Sequence, residues 1–188
     1  GTMKGIVNAL NAVTKPGDSV LLTMPIYGPF QIVANLDERK MVNSQLINND
    51  GYYTIDWEDF EEKVKREDVT AFLLCNPHNP TGRVWTEDEL KKIHTLCIEN
   101  DVVVISDEVH CDIVRKGVKY TPMAKASGGK GVITCTGLGK TFNIAGLHPS
   151  NVIITDTELL EKYKKFETAL YAYYEGDWKT ARKVFKET

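Results

Sequence analysis

The chain has 188 residues, 42% of them hydrophobic, enough for one sizeable domain or for one domain and a small appendage. A net charge of −3, spread along the chain, gives no electrostatic case for nucleic acid or for an acidic membrane surface. The four cysteines, Cys75, Cys97, Cys111 and Cys135, stand far apart without C-x-x-C or metal-ligand spacing, so free buried thiols in a reducing, cytoplasmic compartment are expected, and no metal site.

In chain order, "GTMKGIVNALNAV" opens inside an amphipathic pattern, as expected of a fragment, with Ile6, Ala9, Leu10 and Val13 on one helical stripe that "KPGD" stops. "SVLLTM" (19–24) reads as a buried strand, "PIYGPF" as a turn, "FQIVANLDE" (30–38) as a helix and "RKMVNSQLI" (39–47) as a strand. "NNDGYYTI" is expected to turn and then extend, and "DWEDFEEKVK" (56–65) has the acidic start and basic end that a helix dipole favours. "VTAFLLCNP" (69–77) is an apolar strand stopped by proline. "TEDELKKIHTLCIEN" (86–100) opens on a capping-box pattern, Thr86 with Glu89. "DVVVISDE" (101–108), "GVITCT" (131–136) and "NVIITD" (151–156) complete the strands. No signal-peptide pattern and no membrane-spanning run interrupts the series.

Unalternated apolar strands separated by amphipathic helices predict an α/β fold, a three-layer mainly parallel sheet with helices on both faces. Ligands of such sheets gather beyond the carboxyl ends of the strands. Asn79, Asp107 and Lys140 each follow or end a strand, so one site is expected to collect them.

Lys140 lies in "TCTGLGKTFNIAG" (134–146), and "GKT" together with "VVVISDE" imitates a nucleotide-binding P-loop. That loop needs a glycine five positions before Gly139 to wrap phosphates with backbone N–H groups, and Thr134 stands there. The alternative chemistry is a Schiff base between the lysine and a carbonyl cofactor. Such a site also needs a carboxylate facing a ring nitrogen, a donor at the ring oxygen and a flat wall. A plain surface lysine is the third reading.

"PGDSVLLTMPIYGPF" (16–30), "CNPHNPTGRVW" (75–85), "ISDEVHCDIV" (105–114) and "GKTFNIAGL" (139–147) occur in that order. Together they resemble the fold-type I enzymes dependent on pyridoxal 5′-phosphate (PLP), the class I/II aminotransferases, in their cystathionine β-lyase-like branch. The resemblance covers about residues 1–165, the large domain of a family whose members are roughly twice this length. It implies that Lys140 forms the internal aldimine with PLP, that Asp107 partners the pyridine nitrogen and that Asn79 bonds the ring O3′. It further implies that Tyr27 stacks on the ring, that His110 stands beside O3′ or supports Asp107, and that Gly1 and Thr2 form the phosphate-binding turn. Lys140, Asp107 and Tyr27 are the catalytic residues by this resemblance. Where the family places hydroxyl residues before the lysine, this chain has Gly137 and Gly139, and Thr136 with backbone N–H groups is expected to supply the phosphate donors. Where aminotransferases carry an arginine eight residues past the lysine, His148 stands here.

The implied activity is carbon–sulfur β-lysis of cystathionine or a cysteine conjugate, with a small amino acid as substrate and a homodimer as the assembly. An aminotransferase is the alternative within enzymes, and a catalytically inactive binding or interaction domain the alternative outside them. The tail, "FETALYAYYEGDWKTARKVFKET" (166–188), is expected to form a separate helical pair. It resembles one tetratricopeptide-like unit or, more loosely, helices further along the lyase family.

Overall fold

A computed structural model describes residues 1–186, so the last two residues of the expected helical pair lie outside the described residues. A seven-stranded sheet in the order β3-β2-β1-β4-β5-β6-β7 forms its middle layer. The strands are β1 (Ser19–Met24), β2 (Lys40–Asn49), β3 (Tyr52–Ile55), β4 (Val69–Cys75), β5 (Val103–Asp107), β6 (Val132–Thr136) and β7 (Asn151–Ile153). The five central strands run parallel, and the edge strands β3 and β7 pair antiparallel to their neighbours.

Central strands covered on both sides have no reason to alternate apolar with polar residues. Val20, Leu22, Leu73, Ile105 and Ile133 face one layer, which holds α1 (Thr2–Val13), α2 (Gly28–Ala34) and α6 (Thr157–Tyr174). Leu21, Phe72, Leu74, Val104 and Val132, one residue out of step, face the other, formed by α3 (Trp57–Val64), α4 (Glu87–Ile98) and the short α5 (Met123–Ala126). The period-2 offset of the strand side chains thus fills two cores from one set of apolar runs.

Several boundaries differ from the sequence reading for local reasons. α2 starts at Gly28, two residues before the expected helix, with Pro29 in its first turn, where proline is suited. Asp50 and Gly51, with φ of 50° and 88°, close β2 onto β3 as a two-residue hairpin. The strand expected over 151–156 stops at Ile153. Asp156 is taken by the next helix, its carboxylate accepting from the N–H groups of Glu158 and Leu159 and, through its second oxygen, from Gly131.

The expected division at 165/166 falls inside α6, which runs unbroken from Thr157 to Tyr174. Leu159 and Tyr163 anchor its first half in the core under α1. Gly176, at φ 82°, turns the chain into α7 (Trp178–Lys186), and Phe166 and Phe185 meet across the two helices with ring centroids 5.9 Å apart. Among the described residues no helix is long and apolar enough to cross a membrane.

Candidate active site

The strand order reverses between β1 and β4, and beyond the carboxyl ends of these strands lies a cavity of about 480 Å³. Gly1, Thr2, Tyr27, Asn79, Asp107, His110 and Lys140 all line it, although they come from five separate stretches of the chain.

Asp107 ends β5 and is only 6% exposed. Its carbonyl accepts from Asn76 N–H at 2.9 Å, which ties β5 to the end of β4. Among the described residues its carboxylate takes one hydrogen bond, from Val109 N–H to Oδ1 at 3.1 Å, and no ion pair. Burial pushes this carboxyl up to about 7, with the neighbouring Glu108 charge adding and Lys140 and the Val109 N–H opposing. The floor of the cavity therefore holds a carboxyl group that lacks a close cationic partner.

Asn79 sits in a loop that folds back on β4. Asn79 N–H donates to Cys75 Sγ (3.3 Å), the Cys75 thiol donates to Pro77 O (3.3 Å), and Trp85 Nε1–H donates to Cys75 O (2.9 Å). Tyr27 precedes α2 at the cavity wall, 39% exposed, with Phe30 edge-on to its ring at 5.5 Å. Gly1 and Thr2 open α1, where the N–H groups of Thr2 and Met3 lie ahead of the first helical bond, Lys4 N–H to Gly1 O at 3.0 Å. His110 is half-buried, and burial, then the Lys140 charge, hold its imidazole below the usual range.

Lys140 is exposed on a tight turn after β6. Of the glycines before it, Gly137 has no room for a side chain and Gly139 is tightly packed. A Cβ at Gly137 would stand 2.6 Å from Pro149 O, and one at Gly139 would stand 3.3 Å from Ala145 Cα. Thr141 Oγ1–H donates to Asp112 Oδ2 at 2.8 Å, joining this turn to the segment that carries His110. Thr136 is the expected site residue that does not line the cavity. It pairs with Asn151 of β7, and its hydroxyl faces Cys111 Sγ at 3.8 Å. Cys75 and His148 line the cavity instead. Cys75 was legible only as the last residue of an apolar strand.

A doubly covered, mainly parallel sheet with this cavity is the large-domain architecture of fold-type I PLP-dependent enzymes. The family model for aminotransferase class I and II matches residues 1–176, and the chain belongs to this family, in its cystathionine β-lyase-like branch. It is 44% identical over 158 residues to cystathionine beta-lyase PatB of Bacillus subtilis, covering 83% of this chain and 41% of that protein. The structure of cystalysin from Treponema denticola, which contains a pyridoxal 5′-phosphate cofactor, superposes with a TM-score of 0.86 at 39% identity, covering 90% of this chain and 43% of that one. A PLP-bound C-S lyase from Staphylococcus hominis gives 0.83 at 42% identity, over 87% and 42% of the two chains. The chain thus spans less than half the length of these relatives.

Proposed function

We propose that this chain is the cofactor-binding part of a PLP-dependent carbon–sulfur β-lyase that acts on cystathionine or a cysteine conjugate. The observation that carries the reading is the convergence of Lys140, Asp107, Asn79 and Tyr27 on one cavity from four different strand ends. The residues fit the cofactor at both of its ends. Asp107 is a buried carboxylate with one hydrogen bond, suited to a protonated ring nitrogen, and the α1 N-terminus offers N–H groups and a favourable dipole to a phosphate. Lys140 would hold the cofactor covalently through Nζ, Asn79 would donate to its ring oxygen, and Tyr27 would cover its face. Thr136 would join the phosphate set from the end of β6, where its hydroxyl now faces Cys111 Sγ at 3.8 Å.

When bound, PLP supplies an electron sink conjugated to the α-carbon of the amino-acid substrate. An ionised Asp107 carboxylate would keep the ring nitrogen protonated, which an uncharged residue there would not do. Lys140 Nζ would be the base that takes a proton from the substrate's α-carbon. Burial and the Lys140 charge lower the His110 imidazole, which favours its neutral form in this cavity.

An aminotransferase is the second reading, favoured by the description of the family model and by 30% identity over 155 residues to rat kynurenine–oxoglutarate transaminase 3. We further propose a homodimer, supported by exposed Phe142 and Leu147 on the lysine turn (63% and 77%), and a cytoplasmic setting, supported by four free cysteines. The proposed units remain 1–165 for cofactor binding and 166–188 for a helical appendage.

The test is the visible spectrum with added PLP, before and after borohydride, for the chain and for Lys140→Ala. A yellow band fixed by borohydride in the parent and absent in the variant is expected. Pyruvate release from cystathionine then separates the lyase from an aminotransferase, which would instead need an oxo-acid acceptor. No specific band in either protein would leave the chain as a folded binding domain.

A further inference from the structure

Glu108 follows Asp107 in sequence, yet its side chain plays no part in the chemistry above. It is only 3% exposed, and among the described residues its carboxylate accepts from Ser106 and Met123, which bracket one surface segment, and from Tyr120 near that segment's end. Ser106 Oγ–H donates to Oε1 at 2.8 Å and Met123 N–H donates to the same oxygen at 2.9 Å. Tyr120 O–H donates to Oε2. Residues 109–122 therefore leave β5 at Glu108 and return to Glu108 before α5 begins.

That closed segment lines the cavity with Val109 and His110, and it meets the end of β6 and the turn beyond it at two further places. Asp112 accepts from Thr141, the residue after Lys140, and the Cys111 thiol meets Thr136 at the end of β6. Near its far end, Thr121 O accepts from Asn76 Nδ2 at 3.0 Å, next to the loop of Asn79. A buried carboxylate with charge-assisted bonds to both ends of a segment is a strong tether, whereas the exposed Asp112–Thr141 bond is weak by itself.

We propose that Glu108 is the positioning residue of this site: by closing residues 109–122 on themselves, it holds His110 against the Lys140 turn. The proposal deepens the PLP reading and rests on it for its catalytic meaning, but the tether itself is a property of the free chain. Without it the segment keeps the Thr121–Asn76 bond at its far end and the exposed Asp112–Thr141 bond, and the part that carries His110 is expected to leave the cavity.

The experiment uses the full chain without cofactor, as parent, Tyr120→Phe and Glu108→Gln. Amide hydrogen exchange is followed by residue, and the His110 imidazole is titrated by NMR. Lys140 on the β6 turn is the charge that acts on it, and Asp107 on β5, Lys4 on α1 and His148 after β6 line the same cavity. Tyr120→Phe is expected to speed exchange in 109–119 by about tenfold while the central strands stay protected, as local opening does. The His110 titration should rise towards its ordinary value as burial is relieved, a change that a merely stabilising Glu108 would not cause. Glu108→Gln keeps an acceptor on Oε1 and should fall between parent and Tyr120→Phe; it carries the same test if Tyr120→Phe does not fold.

A uniform loss of melting temperature, with segment exchange and the His110 titration unchanged, would overturn the proposal. Adding PLP afterwards separates the two ideas. A chain whose segment opens as expected but which never binds PLP sinks the functional reading and leaves the tether standing.

Discussion

Asp107 and His78 are both buried and pull the stability of the free chain in opposite directions. Burial pushes the Asp107 carboxyl from 3.8 up to about 7, so the folded state holds its proton more tightly than the unfolded one. Stability from this group is complete below pH 3.8 and is lost as pH rises through about 7, a cost of roughly 4 kcal/mol. Burial pushes His78 from 6.5 down to about 4, so its contribution is complete above pH 6.5 and is lost as pH falls towards 4. Asp107→Asn should therefore be more stable than the parent at pH 8 and no more stable at pH 4, and it should uncover the acid sensitivity due to His78. Thermal melts at both pH values check this, and a parent–variant difference independent of pH would remove Asp107 as its source. Asp107 was legible as a site residue in the motifs, whereas His78 was given no role there. Their burial was not legible, because it depends on strands far away in sequence.

At the scale of elements, the capping box at α4 was readable from Thr86 and Glu89 alone, and both of its bonds are present. Its connection to the rest of the fold was not readable. Arg83 donates to both Glu89 oxygens at 2.7 Å and lies between the Tyr52 and Trp85 rings, 4.5 and 4.7 Å from their centres. One guanidinium thus joins the β2–β3 hairpin, the Asn79 loop and α4. Thr86→Ala should cost about 1 kcal/mol, the usual loss of a helix cap. Arg83→Met should cost about 3 kcal/mol, because it strands a partly buried carboxylate. Urea unfolding of both variants decides, and equal losses would mean that the cap alone holds the helix start.

For the whole molecule, a ligand that binds only the folded chain must stabilise it. PLP at about a hundred times its dissociation constant should add about 2.7 kcal/mol. Lys140→Ala should lose most of that gain at the same PLP concentration, because the covalent hold is gone. Urea titrations with and without PLP measure both, and an unchanged midpoint in the parent would speak against a cofactor site in this chain.

The sequence by itself determined the layering and the order of the chemistry. Apolar runs, helix stops and the succession Tyr27, Asn79, Asp107, Lys140 are local signals, legible because periodicity and turn chemistry act over a few residues. Only the tertiary structure decided that the Thr136 hydroxyl faces Cys111, that Cys75 and His148 line the cavity, and that α6 runs through residue 165 to dock under α1. It alone decided that Glu108 closes the segment carrying His110. Each of these rests on contacts between distant parts of the chain, whose geometry the packing of the two cores sets.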